Sequence, residues 1–223
     1  MTRPVPAPVP ASTDQVKLLA VEVLSNHWYT LRKVTLELRR RDGQWQRQVR
    51  EAYDRGNGAV VLLHDPRRGM VVLTRQFRLP TFLNGNAQGQ LIEACAGLLD
   101  GDDPETCVRR EAEEETGFQV RTPRKVFEAY MSPGSVTEKL HFFVADYEPS
   151  DRIREGGGMV EEGEDIEVIE MPLVDALDGI RTGRIQDGKT VMLLQHVALE
   201  QLQQQLQQQL QQQGSATGLV DNP

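Results

Sequence analysis

The sequence predicts an α/β fold preceded by a small antiparallel β unit, and three observations predict it. Residues 16–55 contain three stretches in which apolar and polar residues partly alternate, as in half-buried strands. Two apolar runs rich in β-branched residues, 59–65 and 70–78, are typical of buried core strands. A helical pattern then extends over 104–116, with Pro104 suited to its first turn. Strands and helices combined in this way indicate an α/β domain.

The N-terminal part divides into a tail and the β unit. Residues 1–15 contain four prolines and no apolar run long enough for a signal peptide, so we expect a disordered or polyproline-like tail. Within 16–55, the turn Arg41-Asp42-Gly43 indicates a hairpin. Three strands bury little on their own. We therefore expect this unit to pack on the rest of the chain or on a second copy.

Residues 56–198 are expected to form the main domain. Its segment 152–165 combines three consecutive glycines with a cluster of acids, which predicts a mobile loop rather than a packed element. The acids of this loop are either solvated or able to deliver a base when the loop closes. A strand, a short helix and a long helix that opens at Lys189 complete the domain.

The C-terminal segment 199–223 is rich in glutamine and is expected to be a helical extension with a tail. Leu199, Leu202, Leu206 and Leu210 recur at helical spacing, which fits a coiled-coil-like contact face. The same pattern fits a low-complexity extension without a role. Both interpretations stay open.

Composition excludes several classes of partner. The chain has 25 basic and 33 acidic residues, a net charge of −8, which argues against nucleic acid held through its phosphates. No apolar window of about 18 residues predicts a membrane span. The two cysteines, Cys95 and Cys107, are expected to be reduced thiols, because no secretory signal is present. No histidine lies near them at zinc-ligand spacing. These features predict a cytoplasmic protein.

Residues 97–117 form the stretch around which a function can be argued. At 100° per residue, Glu111, Glu114 and Glu115 project from one face of the predicted helix. Arg110 is placed to pair with Glu114 four residues later. Gly117 can adopt the left-handed conformation that ends a helix.

Three neighbouring carboxylates repel one another unless a cation lies among them. Mg²⁺ prefers oxygen ligands and often retains substrate phosphate in its shell, so this face predicts a magnesium site that reaches a diphosphate. The alternative is a solvated acidic helix face. The fixed order of glycine, Arg-Glu, Glu-Glu and closing glycine favours the metal site.

These residues resemble the Nudix box, G-x5-E-x7-R-E-U-x-E-E-x-G-U, where U is aliphatic or similar. The match consists of Gly97, Arg110-Glu111-Ala112, Glu114-Glu115 and Gly117-Phe118. The stretch is one residue shorter than the pattern, and Asp102 or Asp103 stands where the early glutamate is expected. The three main metal-ligand positions are intact.

Further motifs resemble the GDP-mannose pyrophosphatase family of Nudix enzymes over roughly residues 17–198. They are YDRGNGA (53–59), RQFR (75–78), NGN (84–86), QLIEACAGLLD (90–100), YMSPGSVTE (130–138), GEDIEV (163–168) and DGKT (187–190). The resemblance implies a Nudix α/β/α sandwich with a mixed sheet. It also implies a homodimer in which the N-terminal β unit crosses to the partner.

The resemblance assigns roles to individual residues. Mg²⁺ would be bound by the carbonyl of Ala96 and the carboxylates of Glu111, Glu114, Glu115 and Glu164, with Glu161 and Glu162 as competitors for the place of Glu164. The substrate would contact Trp28 (often Tyr in the family), Arg50, Glu51, Arg78, Ala96, Gly97, Glu115, Glu138 and Lys189. The catalytic carboxylates would be Glu115, Glu138 and Glu164.

The implied reaction is Mg²⁺-dependent hydrolysis of GDP-mannose to GMP and mannose 1-phosphate. The metal would neutralise the diphosphate and lower the pKa of a water. A carboxylate, either Glu138 or one in 161–164, would take the proton. Arg78 and Lys189 would stabilise the growing negative charge. The alternatives are an ADP-ribose pyrophosphatase and a nucleotide-sugar-binding module without activity, which would not need to keep its metal carboxylates.

Overall fold

The computed structural model describes residues 10–217, except for the side chains of Glu162 and of residues 213–217. Most of the predicted N-terminal tail and the last six residues therefore lie outside the described range. Within it, the strands are β1 Val16–Asn26, β2 Thr30–Arg39, β3 Trp45–Asp54, β4 Gly58–Asp65, β5 Met70–Phe77, β6 Gln90–Glu93, β7 Cys95–Leu98, β8 Arg124–Tyr130, β9 Lys139–Asp146 and β10 Glu167–Pro172. The α-helices are α1 Leu79–Leu83, α2 Pro104–Glu111, α3 Leu173–Arg181 and α4 Gly188–Thr217.

The first three strands form the expected antiparallel sheet in the order β1-β2-β3. The predicted hairpin turn is confirmed, because the amide of Arg40 donates to the carbonyl of Gln44 at 2.8 Å and β2 pairs with β3 from Arg39–Trp45 onwards. Strand β1 leaves Leu19, Val21 and Val23 exposed. This sheet therefore buries little apolar surface by itself.

The remaining strands form a mixed sheet in the order β10-β5-β4-β9-β8, with β6 paired to β5 and β7 to β4. The expected mixed sheet with helices is thus confirmed. Strand β4 is buried along its whole length, as its continuous apolar run predicts. The turn to β5 is closed by Asp65, whose Oδ1 accepts from the amides of Arg67 and Arg68 at 3.0 and 3.1 Å.

The chain divides into two compact units. The first consists of the chain up to Val60, Ala96–Val108 and Lys125–Phe142, and the second consists of Val61–Cys95, Arg109–Arg124 and the chain from Phe143. The segment boundaries proposed from the sequence, at 15, 55 and 198, stay predictions.

The helix within residues 97–117 changes type halfway. It is α-helical over Pro104–Glu111 and then forms a π-helical turn over Ala112–Thr116. Gly117 ends it with φ of 78°, so the predicted left-handed glycine is confirmed. The helix predicted over 104–116 is confirmed in its extent, and its second half is π-helical instead of α-helical. Turns of the π type are rare and occur often at functional sites.

Candidate active site

The three predicted metal-binding carboxylates, Glu111, Glu114 and Glu115, lie in the second unit and have different surroundings. Glu111 and Glu114 both pair with the Nη1 of Arg110, at 2.9 and 3.0 Å. The predicted pair of Arg110 with Glu114 is thereby confirmed, and the contact with Glu111 is additional. Glu115 lies in the π-helical turn and is only 2% exposed. The three carboxylates therefore form an acidic face along which solvent exposure decreases, and Glu115 is almost fully buried.

Burial and mutual repulsion disturb the ionisation of these groups. Burial raises the pKa of Glu115 to about 8, and the charges of Glu111 and Glu164 add to the increase. Hydrogen bonding from the Cys95 thiol and the charge of Arg78 act in the opposite direction. Burial likewise raises the pKa of Glu111 to about 7, with Glu114 and Glu164 contributing. Glu111, Glu115 and Glu164 therefore share one electrostatic environment, and a cation there would relieve it.

The donor set suits a hard divalent cation, although the carboxylates do not converge as placed. Within the range that the structure describes, no three His, Cys, Asp or Glu side chains are close enough together to hold a metal ion. However, Oε2 of Glu115 is buried without a hydrogen-bond partner. Buried polar atoms are nearly always satisfied, so an unpaired carboxylate oxygen among other carboxylates suits a site that can hold a cation.

Glu164 faces the same group from the acidic loop. Its Oε2 accepts from the amide of Met159 at 2.9 Å, which holds the side chain in place. Its charge acts on both Glu111 and Glu115. Of the two competitors, Glu161 is exposed, and the side chain of Glu162 lies outside the described residues. These contacts favour Glu164 as the loop carboxylate of the site.

The loop that carries Glu164 is packed, contrary to the prediction of a mobile segment. The amides of Gly157 and Gly158 donate to the carbonyls of Glu115 and Glu114 at 2.9 and 3.1 Å. Arg154 pairs with Glu113 at 2.9 Å. The loop thus satisfies carbonyl groups that the end of a helix leaves without partners.

This docking requires close backbone approach. A Cβ on Gly156, whose φ is 79°, would stand 2.6 Å from the carbonyl oxygen of Glu115. A Cβ on Gly117 would stand 2.0 Å from the carbonyl oxygen of Arg154. The consecutive glycines therefore permit contact rather than mobility.

The predicted phosphate-binding cations, Arg78 and Lys189, are brought together by a residue that sequence reasoning did not assign. Oε2 of Glu93 accepts from Nε of Arg78 at 2.7 Å, and its Oε1 accepts from Nζ of Lys189 at 2.5 Å. Lys189 also pairs with Asp187 at 3.0 Å. Burial alone would raise the pKa of Glu93, but Lys189 and Arg78 outweigh burial and hold it below its usual range.

Strand geometry and a helix opening place this cluster. Glu93 ends β6, Arg78 follows β5, and β5 pairs with β6. Lys189 stands at the start of α4, where the Oγ1 of Thr190 accepts from the amide of Ala94 at 2.7 Å. The charge of Arg78 also acts on Glu115. The cation cluster and the acidic face thus belong to one site in the second unit.

The other predicted site residues lie in the first unit. Trp28 is exposed, with its ring edge-to-face on Tyr29 at 6.1 Å between centroids. Glu51 is exposed on β3, opposite Lys33 of β2. The side chain of Arg50 donates to the carbonyl of Val49 at 2.8 Å.

Three further predicted residues also lie in the first unit. Ala96 and Gly97 form the middle of β7, directly after Cys95. Glu138 is buried and pairs with Arg55 at 3.5 Å. The roles of these residues, like those of Trp28, Arg50 and Glu51, stay predictions.

Glu93, Cys95, Arg55 and Asp187 lie near predicted site groups and were missed by sequence reasoning. Glu93 and Cys95 stand in the quoted motif QLIEACAGLLD, two positions apart, so both lay within a recognised signal without a role. Cys107, by contrast, lies beside the carbonyl of Leu98 at 3.3 Å. Both cysteines are buried thiols, as predicted.

Comparison with known families divides the chain at Tyr53. A family model described as "GDP-mannose pyrophosphatase NudK N-terminal domain" matches residues 15–53. A model of the NUDIX domain matches residues 54–194, which is more than half of the chain. Nudix hydrolases generally use a divalent metal ion.

Individual relatives extend the similarity over almost their whole length. The chain is 54% identical to a GDP-mannose pyrophosphatase of Escherichia coli O1:K1 / APEC over 190 residues, which is 85% of this chain and 98% of the relative. It is 53% identical to that of Shigella flexneri serotype 5b over the same shares. A solved structure titled "Crystal structure of ADP compounds hydrolase" matches with a TM-score of 0.67 at 21% identity, covering 88% of this chain and 98% of that one. This last match shows the fold.

Proposed function

The chain belongs to the Nudix hydrolase family, and we propose that it hydrolyses the diphosphate bond of GDP-mannose to give GMP and mannose 1-phosphate. The observation that carries the proposal is the cation pair of Arg78 and Lys189 in one site with the buried acidic face. Such a site offers positive charge to a diphosphate and oxygen ligands to a metal. The GDP-mannose pyrophosphatase activity of the relatives supports the choice of nucleotide sugar.

We propose Mg²⁺ as the metal, held by Glu111, Glu114, Glu115 and Glu164 together with the Ala96 carbonyl that the family resemblance adds. When bound, the metal neutralises the diphosphate and lowers the pKa of a water molecule. The raised pKa values of Glu111 and Glu115 support this role, because an added cation would favour both ionised forms.

The residues of the chain then supply proton transfer and charge stabilisation. Glu138 or Glu164 takes a proton from the water that attacks phosphorus, and the bridging P–O bond breaks as the new P–O bond forms. Arg78 and Lys189 stabilise negative charge on the phosphate oxygens. Trp28 stacks on the base, and Gly97 contacts the substrate through its backbone. Arg50 and Glu51 reach the substrate that is bound in the partner subunit.

The same proposal covers assembly and location. The exposed apolar residues of β1 support a homodimer through the N-terminal sheet. The buried thiols support a reducing compartment, the cytoplasm. No helix in residues 10–217 has both the length and the hydropathy needed to cross a bilayer. The acidic net charge argues against nucleic acid as a partner.

The test is hydrolysis over a panel of nucleoside diphosphate sugars, with and without Mg²⁺, followed by release of sugar phosphate. We expect GDP-mannose to be cleaved with the highest kcat/KM, and ADP-ribose to be cleaved more slowly. Preference for ADP-ribose would establish the alternative pyrophosphatase. Binding of GDP-mannose without cleavage would establish a binding module instead, and Glu115→Gln is the inactive control.

A further inference from the structure

Glu93 is a buried carboxylate at the junction of β6 and β7, and its side chain is 3% exposed. Each of its oxygens accepts from a different cation, Oε2 from Arg78 at 2.7 Å and Oε1 from Lys189 at 2.5 Å. Removing a carboxylate from water is costly unless it is paired and hydrogen-bonded. Both oxygens of Glu93 are paired with a cation in this way. Glu93 therefore fixes the two cations relative to one another.

The contacts with Glu93 leave donors of both cations available. Glu93 bonds to the Nε of Arg78, and the two terminal nitrogens of this guanidinium make no hydrogen bond within the range described. The side chain of Arg78 is 38% exposed, so it remains partly open to a ligand. Nζ of Lys189 donates a hydrogen bond to Glu93 and forms an ion pair with Asp187 at 3.0 Å, so at least one of its three N–H donors is left.

We propose that Glu93 is a positioning residue for hydrolysis: it aims the terminal guanidinium nitrogens of Arg78 and the remaining N–H of Lys189 at one phosphate group of the substrate. A guanidinium held through Nε presents its terminal nitrogens as a fork, which matches two oxygens of a phosphate. Glu93 does not touch the substrate. The inference rests on the proposed function, because it needs Arg78 and Lys189 to contact the diphosphate.

A competing explanation makes the opposite prediction. The cluster contains two carboxylates, Glu93 and Asp187, and two cations, Arg78 and Lys189, so its formal charge is zero. If Glu93 only neutralised the cations, it would compete with phosphate, and its removal would strengthen phosphate binding. If Glu93 positions them, its removal weakens binding although the cluster becomes more positive.

The first experiment uses Glu93→Gln and inorganic pyrophosphate, titrated by calorimetry in buffer without Mg²⁺. The carboxamide keeps the shape of the side chain but has one acceptor oxygen, so one of the two cations loses its bond to residue 93. We expect the affinity for pyrophosphate to fall by about tenfold or more, and kcat for GDP-mannose with Mg²⁺ to fall at least as far. Unchanged or tighter pyrophosphate binding in the folded variant would overturn the proposal.

The second experiment is a double-mutant cycle of Glu93→Gln with Lys189→Met. If Glu93 acts through Lys189, the loss of kcat/KM in the double variant is smaller than the product of the single losses. Multiplied losses would indicate a merely structural role and would also overturn the proposal. Glu93→Asp, which keeps the charge but is shorter by one methylene, replaces Glu93→Gln if the latter does not fold, and the same tenfold loss is expected.

The matched control is Glu167→Gln, because Glu167 pairs with Arg75 at 2.6 Å on an exposed part of the same sheet. We expect this variant to bind pyrophosphate and to cleave GDP-mannose as the wild type does. The two proposals can fail separately. A wild type that binds pyrophosphate but cleaves no nucleotide sugar contradicts the proposed function, while the pyrophosphate titration still decides the role of Glu93.

Discussion

At the scale of single residues, Glu115 is an ionisable carboxyl group placed in the protein interior. It is almost out of solvent, and one of its oxygens has no hydrogen-bond partner. A carboxylate in such a place favours its protonated form, which is why its pKa is raised to about 8. The ionised form of Glu115 is therefore unfavourable in the protein without a cation, and it becomes favourable when a cation binds beside it.

The first prediction concerns stability without metal. A raised pKa in the folded state means that the stability linked to Glu115 is complete below its unfolded value of about 4.5 and declines as pH rises to about 8. In EDTA, Glu115→Gln should melt near the wild-type temperature at pH 5 and above it at pH 8. With Mg²⁺ present, the same variant should be inactive. Thermal unfolding at both pH values measures this. A lower melting temperature for the variant at pH 8 would contradict the electrostatic argument.

The second prediction concerns metal affinity. Glu115 and Glu111, with pKa values of about 8 and 7, must lose their protons to bind a metal. The affinity for Mg²⁺ should therefore fall as pH is lowered from 8.5 to 6, by up to about tenfold per pH unit for each proton released. Calorimetric titration in buffers of different ionisation enthalpy measures the proton count. Glu111→Gln should reduce that count, and a pH-independent affinity would refute the coupling.

At the scale of elements, the π-helical turn and the glycine-rich loop pack against each other and together position Glu164. The turn exposes the carbonyls of Glu114 and Glu115 to the amides of Gly158 and Gly157, and the loop carries Glu164 towards the acidic face. Packing of backbone on backbone therefore decides where the loop carboxylate lies.

The third prediction tests this packing with Gly156→Ala. The left-handed φ alone costs roughly 1–2 kcal/mol for a residue with a Cβ, and the contact at 2.6 Å adds to this cost. We expect loss of activity through displacement of Glu164 and lower stability in denaturant unfolding. Gly43→Ala is the control, because Gly43 has a φ of 82° and open space around it. Equal effects of both substitutions would mean that backbone conformation, not docking, matters at Gly156.

Sequence reasoning succeeded for elements whose signals are local. The turn at Arg41–Gly43, the closing Gly117 and the pair of Arg110 with Glu114 each depend on residues within about four positions. It failed for the loop, because consecutive glycines predict mobility unless the surface on which they dock is known. It also left Glu93 without a role, since its partner Lys189 is 96 residues away and the contact arises only from folding.

The fourth prediction concerns the end of α4. Leu199, Leu202, Leu206 and Leu210 are all at least half exposed, whereas Gln201 contacts the buried His64 at 3.1 Å. A stop after Gln201 keeps that contact and removes the remaining glutamine-rich extension. We expect unchanged turnover and unchanged mass in light scattering. A change in mass on truncation would establish the leucine face as a contact between copies.

At the scale of the whole molecule, the first unit contains a residue, Arg50, whose contacts within its own chain do not explain its presence. Arg50 is exposed and donates to the neighbouring carbonyl of Val49, and within the described part of the chain no carboxylate lies within ion-pair distance of it. An exposed strand residue of this kind is usually worth no more than about 0.5 kcal/mol of stability. The family resemblance gives Arg50 a different role, in the active site of a partner subunit.

The fifth prediction is that the active sites are shared within a homodimer. Arg50→Ala should bind substrate weakly, and Glu115→Gln should be inactive, so neither homodimer works well. In a heterodimer of the two variants, one site carries both defects and the other carries neither. Co-expression with different tags, followed by tandem purification, should therefore recover up to about half of the wild-type activity, since a two-site dimer regains one site.

The comparison has its own controls. Mixing the purified homodimers without exchange should restore nothing, and light scattering should give twice the chain mass of 25.1 kDa. A single species of 25.1 kDa at micromolar concentration would rule out the dimer altogether. If verified heterodimers stay inactive while each variant alone is impaired, then each site is complete within one chain. In that case Arg50 would contact the substrate bound in its own subunit, and the N-terminal sheet would not cross to the partner.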